Sequence, residues 1–285
     1  MKSIANEFLT VSVKEQGAEL CSIKDAAGTE YMWQADPAFW ARHAPVLFPI
    51  VGKLLNGRYE LNGKTYELPP HGFARDMKFS LVEQSESSLV YQFLPTAETR
   101  KSYPFEFALN IIYRLNVNSL EISYEVRNNG AEVMPFSIGA HPAFNLHGPG
   151  EKCFLELEKE ETLNTTLLSG KGLLTEETAP VLADTNILPL SKTLFDRDAL
   201  ILLDFKSEKI TLGSHKSTRR LTVEFPGFPQ LGIWAKPGAP FVCIEPWYGY
   251  ADPEQPYGDI MNKPGIMHLA AGDTFTCTHR VAVEA

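Results

Sequence analysis

Apolar and polar residues alternate along much of the chain with the two-residue period of a β-strand. Residues 120–127 (LEISYEVR) alternate strictly, and residues 107–117 form a second run rich in strand-forming residues. The residues that join them, 116–119 (NVNS), favour a turn. Since alternation places one face of a strand in a core and the other in solvent, this pattern predicts an antiparallel pair of half-buried strands.

The clearest hairpin surrounds Asn62-Gly63, with strands predicted at residues 59–61 and 64–66. Asn-Gly readily adopts the positive φ angles of a type I′ turn, which suits the twist of the two flanking strands. Similar patterns predict further strands at residues 8–14, 18–24, 78–84, 88–94, 132–138, 152–158, 209–213, 220–225, 231–235, 241–245 and 274–282.

Helical patterning is scarce, and only residues 36–42 and 95–102 are expected to form a short turn or two. Residues 163–190 are polar and irregular, which predicts a long excursion over the surface. No Ser/Gly-rich linker, fixed-period repeat or shift in composition divides the chain. We therefore predict one all-β domain over residues 1–285, with mostly antiparallel strands, few short helices and a core between two packed sheets.

Composition and charge narrow the class of protein. With 44% hydrophobic and 21% charged residues, the 285-residue chain is typical of a globular protein. Its 26 basic and 35 acidic residues give a net charge of −9, which argues against a nucleic-acid partner. No apolar run approaches the roughly 20 residues of a membrane span, and the N-terminal residues lack the apolar core of a secretion signal. A soluble cytoplasmic protein is expected.

Common cofactor and metal motifs are missing from the sequence. Neither of the glycine-rich phosphate loops occurs, and H-E-x-x-H and G-x-S-x-G are absent as well. The four cysteines lie far apart and form no C-x-x-C pair, so buried thiols are expected rather than a disulfide framework or a zinc site. Polar residues instead cluster with Pro, Gly and aromatic residues in four segments: 69–75 (PPHGFAR), 139–145 (GAHPAFN), 195–200 (FDRDAL) and 244–252 (IEPWYGYAD).

Each titratable residue of these segments has a simple structural explanation when taken alone. His71 could fill a turn between two conformationally special residues, and His141, before a proline, could be a satisfied core residue. Glu245 could leave the core at the end of a strand, and Asp198 could cap a turn. Together, two imidazoles and two carboxylates near strand ends predict a polar-ligand site, because these groups supply complementary acids and bases near neutral pH.

At these segments the chain resembles the aldose 1-epimerases, or mutarotases, and more closely their LacX-like branch. The resemblance extends over nearly the whole chain. Its anchors are residues 71–75 (HGFAR), 139–145 and 244–249 (IEPWYG), in order and with comparable spacing, together with the F-P-x-x-G-[RK]-L pattern at 48–54. Residues 198–201 (DALI) resemble the strand that carries a substrate-binding aspartate in the family, with Asp204 as the alternative for that role.

The resemblance implies a galactose mutarotase-like β-supersandwich and a cofactor-independent isomerase of carbohydrate metabolism. It implies Glu245 as the general base for the anomeric hydroxyl and His141 as the general acid for the ring oxygen. It further implies His71 as a hydrogen-bonding partner near the ring oxygen. The remaining implied contacts to the sugar come from Asp198, Arg75 and Lys53, with Phe144 and Trp247 packing on the pyranose. No metal, nucleotide or covalent intermediate is required.

Two alternatives stay open at the level of sequence. The first is a hexose-6-phosphate mutarotase, in which Arg42, Lys53 and Arg75 hold the phosphate. The second is a sugar-binding protein that uses the same fold without turnover. In either case the expected partner is a small sugar or sugar phosphate; which sugar it is, and the oligomeric state, are left open.

Overall fold

Antiparallel strands dominate the computed structural model, which describes residues 1–284 and all of their side chains except that of Glu151. The first half of the described chain contains β1 (Lys2–Ala5), β2 (Leu9–Val13), β3 (Leu20–Asp25), β4 (Val46–Leu47), β5 (Arg58–Leu61), β6 (Lys64–Glu67), β7 (Ser80–Gln84), β8 (Ser88–Phe93), β9 (Phe107–Asn116), β10 (Ser119–Asn128), β11 (Met134–Phe136) and β12 (Ile138–Ala140). The second half contains β13 (Ala143–Asn145), β14 (Cys153–Leu168), β15 (Leu174–Pro189), β16 (Leu200–Leu202), β17 (Lys209–Ser214), β18 (Ser217–Glu224), β19 (Gln230–Trp234), β20 (Phe241–Tyr248), β21 (Met267–Leu269) and β22 (Thr274–Glu284).

Helical structure within residues 1–284 is limited to short segments. They are one α-helix, α1 (Thr99–Ser102), and the 3-10 turns Leu55–Gly57, Ala74–Asp76, Gly150–Lys152 and Ile260–Asn262. None of the helices in this part of the chain has the length and apolarity needed to cross a membrane. The all-β prediction is confirmed.

One large sheet contains most of the described strands. Among the described strands, fifteen join in the order β4-β12-β20-β19-β16-β14-β17-β18-β22-β10-β9-β8-β7, with β13 also paired to β20 and β15 to β14. Smaller sheets are formed by β1-β2-β3, by β5-β6 and by β11-β21. Strand β20 therefore has β19 on one side and both β12 and β13 on the other, and this is where the candidate site lies.

The alternating pattern of β10 has the burial that the sequence predicts. Leu120, Ile122, Tyr124 and Val126 are at most 3% exposed, while the residues between them are partly accessible. The strand pairs antiparallel with β9 on one side and with β22 on the other. Burying this apolar row contributes about 1.5–3 kcal/mol for each large side chain, so the row fixes which face of the sheet meets the core.

The hairpin predicted around Asn62-Gly63 is present as β5 and β6. Asn62 has φ 52° and Gly63 has φ 76°, the pair of positive angles that a type I′ turn requires. The backbone N–H of Asn62 also donates to the Asp259 carboxylate at 2.7 Å, which attaches the hairpin to a distant loop.

The prediction of an irregular surface excursion over residues 163–190 is wrong. Strands β14 and β15, sixteen residues each, form a long hairpin whose register shifts at several points. These shifts interrupt the two-residue period, and a buried glutamate further hides it. Glu161 is 5% exposed because its carboxylate accepts hydrogen bonds from the Lys206 and Ser207 backbone N–H groups and from the Ser207 hydroxyl.

Smaller predictions have mixed outcomes. The strand predicted at 132–138 is divided into β11 and β12, and residues 95–102 supply α1. Residues 36–42 contain one turn, closed by the Trp40 N–H donating to the Asp36 carbonyl at 2.9 Å. All four cysteines are buried, as expected, and Cys21, Cys243 and Cys277 are free thiols.

A buried histidine of β22 generates a prediction on acid stability. His279 is 3% exposed beside the Tyr124 and Phe228 rings, and burial lowers its pKa from 6.5 to about 3. The unfolded chain takes up this proton below about pH 6.5, so the stabilisation is present above that pH and lost as the pH falls toward 3. We expect His279→Phe to reduce the pH dependence of the unfolding free energy between about pH 4 and 6 by about 1.4 kcal/mol per pH unit.

The measurement is urea denaturation at several pH values, with Tyr124→Phe as the matched control. This control alters the same packing contact and removes no group that titrates in the range. An unchanged slope for His279→Phe would contradict the burial argument.

Candidate active site

Strand register brings His141 and Glu245 together. On one side of His141, Gly139 pairs with Trp247; on the other, Ala143 pairs with Cys243. The same register places His141 opposite Glu245, in the gap between β12 and β13 where Pro142 interrupts the ladder. Across this gap the His141 Nδ1 and Glu245 Oε2 atoms are 3.4 Å apart.

The pair is buried and incompletely satisfied. Glu245 is 1% exposed and His141 9%, and within residues 1–284 neither Oε2 nor Nδ1 has a hydrogen-bond partner. Burial, together with the charge of Asp198, raises the pKa of Glu245 well above 4.5. Burial and the neighbouring His71 lower the pKa of His141 well below 6.5. The low-dielectric surroundings thus favour an uncharged pair that holds one proton.

A tight turn presents His71 to the same space. His71 has φ 64° and Gly72 φ 69°, and a Cβ on Gly72 would come within 2.2 Å of the Phe48 carbonyl oxygen. The backbone N–H of Gly52 donates to His71 Nδ1 at 3.2 Å. Burial and nearby cations lower the pKa of His71 to about 3, so the ring is neutral. Because Nδ1 accepts the hydrogen bond from Gly52, the ring proton is on Nε2.

Tryptophan rings form the apolar wall. The Trp40 ring stacks on His141 with centroids 4.8 Å apart and an interplanar angle of 25°, and Trp234 meets His141 edge-on at 5.9 Å. Trp247 lies flat along the sheet, where its Nε1–H donates to the Ala140 carbonyl at 3.2 Å. A Cβ on Gly232 would stand 2.3 Å from the Trp247 ring, so only glycine leaves room for it.

Charged side chains lie at the opening of the space between these rings. The Lys53 ammonium donates to the Lys171 carbonyl at 3.2 Å, and an Arg75 Nη donates to the Pro70 carbonyl at 2.7 Å. Both arginines of this region also approach Asp76: Arg75 Nε is 3.7 Å from its carboxylate and Arg42 Nη2 is 2.9 Å from it. Asp198 is held in a turn with φ 73°.

These groups surround a cavity of about 270 Å³, large enough for a small polar ligand. Seven of the eight site residues predicted from sequence line it, namely Glu245, His141, His71, Asp198, Arg75, Lys53 and Trp247. The cavity therefore combines a buried glutamate–histidine pair, a neutral imidazole, a further carboxyl group, two cations and an aromatic wall.

Known proteins are similar to this chain in both sequence and fold. Residues 2–268 match the family model of aldose 1-epimerase. The protein LacX of Lactococcus lactis subsp. lactis, encoded on a plasmid and on the chromosome, is 36% identical over 293 aligned positions, which cover 98% of each chain. A galactose mutarotase related enzyme from Lactobacillus acidophilus has 36% identity and a TM-score of 0.94, and the match covers 100% of this chain and 97% of that one. A galactose mutarotase-like protein from Lactobacillus casei ATCC 334 has 33% identity and a TM-score of 0.95, with 100% of both chains covered.

The chain belongs to the aldose 1-epimerase family. Its galactose mutarotase-like fold, predicted from three short segments and one pattern, is confirmed by these structures. Family and fold together support a mutarotase-like function.

Three residues that the sequence offered for contacts to the sugar or its phosphate do not line the cavity of this aldose 1-epimerase family member. Phe144 is fully buried between Met32 and Val242 and does not line the cavity, because it lies in the strand after the His141 gap and points into the core. Asp204, the alternative to Asp198, is exposed in the loop after β16 and does not line the cavity either. Arg42 is also absent from the lining, and its guanidinium binds the Asp76 carboxylate, which lies beside Arg75.

Sequence reasoning missed several residues of the cavity in this family member. Trp40 and Trp234 come from two elements far apart in sequence, and no local pattern links them to His141. Leu168 and Gly172 come from the tip of the β14–β15 hairpin, which the sequence did not predict. Trp40, two residues before Arg42, was the available signal, and it indicated only an aromatic residue near positive charge.

A buried ion pair fixes the rim of the cavity. Lys263 Nζ and Asp252 Oδ1 are 3.0 Å apart, and both side chains are 0% exposed. Asp252 also accepts from the Leu55 N–H at 2.7 Å through its carboxylate and from the Leu174 N–H at 2.9 Å through its carbonyl, while its own N–H donates to the Lys53 carbonyl at 2.8 Å. One residue therefore connects the Lys53 segment to the tip of the β14–β15 hairpin.

We expect either Asp252→Asn or Lys263→Met alone to destabilise the protein by about 3–5 kcal/mol, since each leaves a buried charge uncompensated. The double variant is expected to lose less than the sum of the two, because no unpaired charge remains. Urea unfolding of the four proteins at neutral pH gives this coupling. Strictly additive losses would show that the two charges do not stabilise each other.

Proposed function

We propose that this protein is a cofactor-independent mutarotase that exchanges the α and β anomers of an aldohexose. The observation that carries the proposal is the buried pair of Glu245 and His141, 3.4 Å apart on the wall of a sugar-sized cavity. Membership of the aldose 1-epimerase family supports the same reaction class.

The reaction needs two proton transfers and no redox chemistry. A base removes the proton of the anomeric C1 hydroxyl, an acid delivers a proton to the ring oxygen O5, and the C1–O5 bond breaks to give the open aldehyde. Rotation about C1–C2 presents the other face of the carbonyl, and closure reverses both transfers. The proton count of the protein is the same before and after, so a pair holding one proton is sufficient.

Glu245 is the proposed base and His141 the proposed acid. In the empty cavity, burial favours the uncharged form, with the proton on the carboxyl group. A sugar hydroxyl that donates to Glu245 Oε2 would supply the hydrogen bond that this atom lacks, and would stabilise the carboxylate. The proton then resides on His141, from which it can pass to O5. Substrate binding thereby converts a neutral pair into a charged base and acid.

The other lining residues position the sugar. His71, neutral with its proton on Nε2, donates a hydrogen bond toward the ring oxygen as negative charge develops there. Asp198 accepts from sugar hydroxyls, and Lys53 and Arg75 donate to others. Trp40, Trp234 and Trp247 offer apolar faces to the C–H groups of the pyranose, which favour aromatic surfaces.

A hexose 6-phosphate is the second candidate substrate, because two cations, Lys53 and Arg75, line the cavity. The observation that favours a neutral sugar is the position of Asp76, whose carboxylate lies beside both Arg75 and Arg42. Asp198, whose carboxylate does line the cavity, would also repel a phosphate. We therefore place neutral aldohexoses first.

We expect wild-type protein to accelerate anomer exchange, measured by magnetisation-transfer NMR on glucose, galactose and glucose 6-phosphate. Glu245→Gln keeps the shape of the side chain and removes the base, so the rate is expected to fall by about 10²–10⁴-fold. Glu161→Gln is the matched control: it alters a buried glutamate outside the cavity and is expected to leave the rate unchanged.

Equal rates for wild type and Glu245→Gln would contradict the proposed base. Sugar binding without any exchange on the three substrates would instead identify a binding protein on the same fold.

The proposed preference for neutral sugars has its own test. We expect wild-type kcat/KM to be higher on glucose or galactose than on glucose 6-phosphate. Asp76→Asn frees both arginines from their carboxylate and is expected to shift the ratio toward the phosphate by about fivefold, the size of an exposed charge effect. Asp184→Asn, on the β14–β15 hairpin and outside the cavity lining, is the control. A wild-type preference for the phosphate would favour the second candidate.

A further inference from the structure

Strand β20 carries a third titratable group beside the acid/base pair. Cys243 and Glu245 are two residues apart and therefore project from the same face of the strand. His141 lies opposite Glu245 on the neighbouring strand. One donor atom from each of the three residues, an imidazole nitrogen, the thiol sulfur and a carboxylate oxygen, lies within 4.8 Å of the other two.

We propose that His141, Cys243 and Glu245 form a binding site for one soft divalent cation, such as Zn²⁺ or Cd²⁺. The proposed cation is an inhibitor of the site and not a resident cofactor. Imidazole, thiolate and carboxylate are the three ligand types that zinc accepts, and three protein ligands leave a fourth position for water.

The geometry requires only a small adjustment. Bonds of about 2.0–2.3 Å in a tetrahedral site place neighbouring donor atoms about 3.3–3.7 Å apart. The Nδ1–Oε2 distance of 3.4 Å already meets this requirement. The largest separation, at most 4.8 Å, must shorten by about 1 Å, which a small rotation of the Cys243 or Glu245 side chain provides.

Two of the three donor atoms lack a hydrogen-bond partner within residues 1–284. Glu245 Oε2 and His141 Nδ1 are buried atoms without a hydrogen-bond partner in the described chain, and an unpaired buried polar atom costs about 1–3 kcal/mol. A cation would use both lone pairs at once. His141 and Glu245 line the cavity, so a cation and its water can reach them from that side.

Selectivity for soft cations follows from the charges around the site. Lys53 and Arg75 line the same cavity and oppose any cation, so the bond to the thiolate has to supply much of the affinity. Mg²⁺ and Ca²⁺ prefer oxygen ligands only and are expected not to bind. On binding, the thiol and the acid/base pair each release a proton to solvent, and no redox change occurs.

The test is a titration of the intact protein with CdCl₂, followed by the ultraviolet charge-transfer band of a cadmium–thiolate bond. We expect the band to saturate with one Cd²⁺ per chain, to be absent in Cys243→Ala and to persist in Cys21→Ala and Cys277→Ala, which remove buried thiols elsewhere. Excess MgCl₂ is expected not to reduce it.

A second variant keeps the proposal falsifiable if Cys243→Ala does not fold. His141→Gln retains the thiol, so the band should remain while the Kd for Cd²⁺ rises at least about tenfold through loss of one ligand. The absence of a band in wild type, its survival in Cys243→Ala or an unchanged Kd in His141→Gln would overturn the proposal.

Loss of anomer exchange in parallel with Cd²⁺ binding is a separate measurement, which rests on the proposed function. Binding that leaves exchange intact would contradict the catalytic pair and leave the cation site standing.

Discussion

The cross-strand placement of His141 opposite Glu245 is the constraint on which the rest of the site depends. Two ionisable groups inside a sheet would each cost several kcal/mol if charged and alone, a large part of the roughly 5–15 kcal/mol that stabilises a domain. Held 3.4 Å apart with one proton between them, the pair can stay uncharged until a ligand arrives. The interruption of the ladder at Pro142 is essential to this arrangement. It lets β20 pair with β12 and β13 in one register while the His141 imidazole lies outside the ladder.

The surroundings of the pair are held by backbone contacts more than by side chains. Gly72 permits the turn that brings His71 close, and Gly232 leaves the space in which the Trp247 ring lies. Asp252 joins the segment of Lys53 to the tip of the β14–β15 hairpin and is itself neutralised by the buried Lys263. Such contacts leave little freedom for Glu245 and His141 to relax toward one another or toward solvent, so their lone pairs stay directed at the cavity.

Sequence reasoning reached the strand content and the charged and titratable lining residues, for two different physical reasons. Alternation is a local consequence of burial, so β10 and the hairpin at Asn62-Gly63 could be predicted directly. The roles implied for Glu245 and His141 came from resemblance, since no local rule says that two strands will meet there. The failures have two causes. The β14–β15 hairpin hides its period behind bulges and a buried glutamate, and Trp40 reaches His141 only through packing between distant elements.

The cation site and the proposed catalysis have the same physical origin. A base that accepts a proton from a sugar must keep a lone pair free of internal hydrogen bonds. In a cavity wall that excludes water, that lone pair is more reactive. The same unpaired atoms attract any cation small enough to enter, and Cys243 behind Glu245 adds the sulfur that soft cations prefer. Lys53 and Arg75 lower the local concentration of cations without blocking a neutral sugar. In the proposed mutarotase, Lys53 and Arg75 would protect the Glu245–His141 pair from cations and would also donate hydrogen bonds to the sugar. A neutral sugar would lose little affinity to these two charges.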